Sequence, residues 1–291
     1  MKQRIFLFIC LLFLPQCSYF DDLLFSSSSI TEDNDLFIPE SADTDISGWE
    51  LVWHDEFDGD ALDRTNWGFN TGGTGFGNNE LQYYTDSSDN AFVEDGLLVI
   101  QALEGRTRGL PYSSAKVWTL GLHTWRYGRF DIRARLPEGQ GLWPAFWMLP
   151  MFSNYGGWPH GGEIDIMELL GHEPDTVHGT LHYSDADGHV FSGTSYTLEE
   201  GTFSEDFHVF SLIWEEDQVQ WFVDGELYQT QTEWQTRNAE FPAPFDQELY
   251  LMINLAVGGD WPGSPDETTI FPQRLEVDYV RVYQEPNTSD E

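Results

Sequence analysis

Gly161-Gly162-Glu163-Ile164-Asp165-Ile166-Met167-Glu168-Leu169-Leu170-Gly171 places three carboxylates within six residues, separated only by large apolar side chains and preceded by two glycines. Read as a strand, its period of two puts Glu163 and Asp165 on one face and Ile164 and Ile166 on the other. Glu168 breaks the alternation, because the fifth residue along belongs to the apolar face. One extra residue, a β-bulge at Ile166 or Met167, re-aims Glu168 toward the other two acids. A helix fits worse: at 100° per residue the two glutamates lie about 140° apart, and the flanking Ile residues favour a strand. The stretch therefore predicts three acids converging on one open sheet face.

Two glutamates aimed at one point suit cleavage of a glycosidic bond. One carboxylate acts as nucleophile or base, while the other keeps its proton for the leaving oxygen. An acidic strand edge or a Ca2+ site is the alternative that the spacing alone leaves open.

The rest of the chain narrows the setting. Its 291 residues suffice for one large all-β domain or two small ones, and 40% hydrophobic with 15% aromatic content supports a sizeable core. Tryptophan is unusually frequent at 12; a large sandwich buries several, and a minority is expected to line a cleft, where exposed indole faces suit the apolar faces of sugar rings. With 13 basic against 50 acidic residues the net charge is −37, which excludes nucleic acid and anionic membrane surfaces as partners. Lys2 and Lys116 are the only lysines, a composition that keeps a protein soluble in high salt. Both cysteines, Cys10 and Cys17, lie at the extreme N-terminus, so the globular part holds no disulfide and no thiolate metal site.

Residues 1–17 read as an export signal: Lys2 and Arg4 precede an apolar run from Ile5 to Leu14 that is too short to span a membrane. Leu14-Pro15-Gln16-Cys17 resembles a bacterial lipobox, with Gln16 in place of the expected small residue. An exported, surface or periplasmic lipoprotein anchored through acylated Cys17 is the expectation, with plain secretion as the alternative. Residues 18–47, with the run Ser26 to Ser29 and many acids, read as a flexible tether, and 286–291 as a disordered tail.

From Trp49 onward the pattern is strand and turn. Gly96–Ala102, Arg129–Leu136, His208–Trp214, Leu249–Leu255 and Leu275–Tyr283 read as strands. Gln218–Val223, Asp224-Gly225 and Glu226–Tyr228 read as a hairpin with a favoured turn dipeptide. No dozen residues show helical periodicity. Many short strands joined by Gly-rich turns predict an all-β sandwich or jelly roll.

The acidic stretch resembles the signature of glycoside hydrolase family 16, and its bulged form resembles the laminarinase (endo-1,3-β-glucanase) branch. Further segments match in family order: Leu51–Phe57, Gly77–Thr85, Tyr127–Phe130, Trp143–Pro150, His178–Tyr183 and Glu276–Tyr283. The resemblance spans residues 48–285. It implies a concanavalin-like β-jelly roll of two antiparallel sheets with a concave substrate cleft, and a monomer acting on β-glucan without a catalytic cofactor. It implies Glu163 as nucleophile, Glu168 as general acid/base and Asp165 assisting, in a retaining reaction with carboxyls about 5 to 5.5 Å apart. Mixed-linkage glucans and marine galactans are alternative substrates on the same scaffold, and a non-catalytic glucan-binding protein is the distant alternative. The low basic content disfavours sulfated galactans.

By the same resemblance Asn78, Arg129, Trp143 and Trp147 bind sugar, with Asn254 and Trp261 as further candidates. Glu56, Asp278 and the carbonyl of Gly96 hold a structural Ca2+. His178 and His182 share one strand face, and His182 is the expected polar partner of the acid/base. A zinc site of these histidines with an acid is a weaker reading, because the carboxylates already explain the stretch.

Overall fold

The computed structural model describes residues 46–286. The export signal, Cys17, the tether up to residue 45 and the tail from 287 lie outside the described residues.

Seventeen strands and no helix make up this part. They are β1 (Glu50–Asp55), β2 (Gly68–Phe69), β3 (Gln82–Tyr84), β4 (Ala91–Glu94), β5 (Leu97–Thr107), β6 (Leu110–Ser114), β7 (Lys116–Trp118), β8 (Gly128–Arg135) and β9 (Leu142–Pro150). The remainder are β10 (Glu163–Leu169), β11 (Thr176–Ser184), β12 (His189–Thr197), β13 (His208–Trp214), β14 (Val219–Val223), β15 (Glu226–Gln231), β16 (Leu249–Val257) and β17 (Gln273–Gln284). A 7-stranded sheet runs β12-β11-β10-β9-β16-β7-β2. A 10-stranded sheet runs β15-β14-β13-β8-β17-β5-β6-β3, with β1 on β17 and β4 on β5. Every pair is antiparallel except β3 with β6. This is the expected jelly-roll sandwich.

The layers pack because each strand alternates. Phe130 and Ile132 of β8, Phe210 and Leu212 of β13 and Trp221 of β14 turn inward from the larger sheet, and all are buried. Phe146 and Met148 of β9, Ile164 of β10, and Leu251, Ile253 and Leu255 of β16 meet them from the smaller one. Phe146 and Phe210 touch across the layers with ring centroids 6.0 Å apart. Burying each such side chain contributes about 1.5–3 kcal/mol. The opposite faces are then free for chemistry, and the site lies on the outer face of the smaller sheet.

The bulge in β10 sits where its sequence places it. Asp165 pairs with Thr180 and Glu168 with His178, so Ile166 and Met167 together oppose the single residue Gly179. Both are buried, which leaves all three acids on the outer face. Two features hold the irregularity. Trp221 Nε1 reaches across the core and donates to the Asp165 carbonyl at 2.8 Å, satisfying a buried group that a bulge can orphan. Opposite the bulge, Gly179 has no room for a side chain: a Cβ there would lie 2.5 Å from the Trp221 ring and 2.6 Å from Tyr228 Oη. Just before the strand, Gly162 adopts φ +81°, and a Cβ would meet Phe245 at 2.8 Å, so the second glycine of the motif is dictated by geometry.

Candidate active site

A cleft of about 900 Å3 crosses the outer face of the smaller sheet. Its walls come from β12, β11, β10, β9, β16 and β7 and from the loop around Asn70 to Glu80. Six strands at 4.8 Å spacing make it about 24 Å long. Glu163, Asp165 and Glu168 lie on its floor, and Asn78, Trp143, Trp147, Asn254 and Trp261 line it.

The floor is an expensive place for charge. Asp165 is 3% exposed and Glu168 8%. Burial, then the neighbouring Asp165 charge, pushes Glu168 up to about 8, opposed by His182 and by the Trp143 N–H, which donates to Glu168 Oε1 at 3.0 Å. Burial also raises Asp165. Glu163 rises as well, through burial first and Asp165 second, relieved by His182 and Trp158. Three carboxyls in one low-dielectric patch cannot all ionise; the Glu163 side chain is more exposed than that of Asp165, at 16% against 4%, and His182 favours its charged form. Near neutral pH the floor thus keeps Glu168 protonated.

Aromatic rings shape both arms. Trp143 packs edge-on against Trp261 at 5.6 Å, and Trp261 against His178 at 5.0 Å, enclosing Glu168. Trp147 Nε1 donates to Asn254 Oδ1 at 2.7 Å, which fixes the indole plane. Phe146 between the two tryptophans is core, as the alternation requires.

Three expectations need correction. Arg129 is not in the cleft. It lies on β8, in the other sheet, and its Nε donates to Asp131 at 2.9 Å. The alternation that buries Phe130 and Ile132 sends Arg129 to the outer face of the larger sheet, on the far side of the sandwich. His182 is not the partner of Glu168: antiparallel register sets it opposite Glu163, and His178 opposite Glu168. Its Nε2 lies 3.2 Å from Asp165 Oδ2 and 3.8 Å from Glu163 Oε1. The calcium set does not fit as a carboxylate cage. Arg281 takes both oxygens of Glu56 at 2.8 Å, holding that carboxyl down at about 2 despite its burial, and Arg133 donates to Asp278. Both side chains already carry a cation.

Glu163, Asp165 and His182 bring donor atoms within 4.8 Å of one another. A metal there would occupy the site's free carboxylate, and His178 stands at the other end of the floor, so no zinc is assigned.

The structure adds residues that the patterns did not mark: Asn70, Phe76, Glu80, Lys116, Trp158, His189, Phe191, Tyr250 and Met252 also line the cleft. Lys116 is 3% exposed, with its ammonium 4.1 Å over Phe76, 4.8 Å over Tyr84 and 5.1 Å over Trp147. Burial pulls it to about 8, against the upward pull of Glu80 and Glu163. As one of only two lysines, it carried a signal in composition alone.

Comparison with known proteins agrees with this architecture. Residues 64–281 match glycosyl hydrolases family 16. Glucan endo-1,3-beta-glucosidase A1 of Niallia circulans is 42% identical over 279 residues, 88% of this chain and 41% of that protein. Beta-glucanase of Rhodothermus marinus is 45% identical over 244 residues, 81% of this chain and 85% of that protein. The crystal structure of the laminarinase catalytic domain from Thermotoga maritima MSB8 superposes with a TM-score of 0.74 at 45% identity, covering 83% of this chain and 100% of that one. The chain belongs to glycosyl hydrolase family 16.

Proposed function

We propose that the chain is a retaining endo-1,3-β-glucanase with Glu163 as nucleophile, Glu168 as acid/base and Asp165 assisting. The observation that carries this reading is the bulge, which sets two glutamates on one cleft floor with a buried carboxyl between them, one of the two held protonated by burial. A cleft spanning six strands suits internal cleavage of a long chain, and the glucanase relatives favour a 1,3-β-glucan over mixed-linkage glucans or galactans.

In the first displacement the Glu163 carboxylate attacks the anomeric carbon while the Glu168 proton passes to the departing oxygen, giving a glycosyl ester and one shortened chain. Glu168, now ionised, takes a proton from water, and the resulting oxygen nucleophile attacks the same carbon and releases Glu163. Each proton and electron pair comes from a side chain or water, so the chemistry calls for no cofactor. The raised proton affinity of Glu168 suits both halves: it holds a proton at neutral pH and retrieves one from water.

The test is reducing-sugar release by residues 46–291 from laminarin, lichenan, agarose and carrageenan. Laminarin is expected to be cut fastest, with a spread of oligosaccharide lengths appearing early. Activity confined to a galactan would replace the substrate, and laminarin binding without cleavage would make the protein a glucan-binding member.

A further inference from the structure

The mechanism above leaves one pair of cleft side chains unused. His182 on β11 and His189 on β12 lie next to the nucleophile's end of the floor, with His182 Nδ1 2.8 Å from His189 Nε2. Their rings are stacked with 18° between planes and a 5.1 Å centroid separation. Two N–H groups at that distance would collide and two lone pairs would repel, so one proton lies between them. The other nitrogen of His182 faces Asp165 and Glu163 at 3.2 and 3.8 Å. His189 is exposed, whereas Asp165 is 3% exposed, so the pair leads from solvent to the carboxyl at the heart of the site. Trp158 covers it, its ring 4.6 Å from His189 and 6.2 Å from His182.

We propose that His182 and His189 act as one proton-sharing pair that sets the charge beside the nucleophile, with His189 as its solvent-facing positioning residue. The step is a simple proton exchange. A proton from water adds to the neutral pair and leaves it with one positive charge, and the central N–H···N bond persists as His189 Nε2 accepts from His182 Nδ1–H. That charge faces Glu163 and favours its carboxylate. On release, the proton returns to water through His189.

The charges around the pair support this assignment. From β10 it faces Glu163 and Asp165, and His182 also acts on Glu168. The β11–β12 turn brings Asp185 and Asp187, but Asp185 Oδ1 is engaged by the N–H groups of Asp187 and Gly188, and Arg237 donates to the carbonyls of Asp185 and Ala186. His160 is bonded to Ser184 Oγ at 2.6 Å. Among the described residues, the carboxylates within 4.0 Å of His182 are Glu163 and Asp165 alone, and His189 has none. A second proton on the pair is disfavoured, since burial and the His182 charge both depress His189.

The inference rests on the glucanase reading for its kinetic test and stands apart from it in a spectroscopic one. His189→Phe keeps a ring beneath Trp158 and excludes water but offers His182 no acceptor. Its imidazolium is then less favourable, Glu163 keeps its proton to higher pH, and the acid limb of kcat/KM on laminarin is expected to move up by about one pH unit. His189→Gln restores an acceptor oxygen and is expected to return the limb toward the wild-type position. The effect appears in the pH profile rather than in KM at the optimum. A His189→Phe profile superimposed on wild type, or a raised KM with the limb unmoved, would overturn the proposal. Independently of any substrate, nitrogen-15 NMR of histidine-labelled Glu163→Gln protein is expected to show both rings responding to a single protonation. Two unrelated titrations would contradict it, even if laminarin cleavage is normal.

Discussion

Glu163→Gln is expected to lower kcat on laminarin by about four orders of magnitude or more, and Glu168→Gln by about two to four. The first change removes the attacking electron pair, for which nothing else on the floor substitutes, because Asp165 is buried beside it and holds its proton. The second removes only the proton donor, so its cost depends on the leaving group. An aryl glycoside whose phenolate departs unaided is expected to react with Glu168→Ala in the first step and then stall. Azide, which needs no base, is expected to restore turnover and yield a β-glycosyl azide. With Glu163→Ala the same anion fills the nucleophile's place and yields the α-azide. Kinetics and product NMR separate the two roles, and interchanged products would exchange the assignments.

Glu168→Gln is also expected to stabilise the fold that it inactivates. The ordinary carboxyl value is 4.5 and the folded site raises Glu168 to about 8. Below 4.5 both folded and unfolded chains carry the proton, and nothing is lost. Between 4.5 and 8 the unfolded chain ionises while the fold retains the proton, so stability falls as pH rises, and above 8 the full penalty stands. At pH 8 the neutral amide is worth about 4 kcal/mol, and its oxygen still accepts from Trp143 Nε1. For a domain of this size Tm rises by roughly 5 °C or more. Thermal melts from pH 4 to 9 check this: the two proteins should converge in acid and separate with rising pH. A constant gap would assign the effect to packing instead.

How much of this was legible in the sequence follows from what each signal measures. Alternation measures faces. It locates β8, β13, the β14–β15 hairpin, β16 and β17, and the extra residue in Glu163–Glu168 discloses the bulge. Alternation does not say which sheet a strand joins, so it offers no check on Arg129, which the family resemblance alone assigns to sugar binding and the topology places in the other sheet. Pairing register is equally hidden. Alternation puts His178 and His182 on one face, yet only the antiparallel register assigns each to its own glutamate. Strand β12 carries no such alternation because its side chains are mostly exposed on both faces, and the pattern therefore does not mark His189 or the 72%-exposed Phe191. Contacts across the layers left no local trace either. Trp221 bonds the Asp165 carbonyl from 56 residues away, and Arg281 claims Glu56 from 225 away. The second of these removed the expected calcium ligand.

Double displacement requires a covalent bond between Glu163 and the sugar, and the anomer released by hydrolysis reports on that bond. Proton NMR of laminarin during the first minutes of cleavage is expected to show β-anomeric reducing ends first, with the α signal growing later by mutarotation. Initial appearance of the α-anomer would mean a single displacement by water and would contradict the assignment of Glu163 as nucleophile.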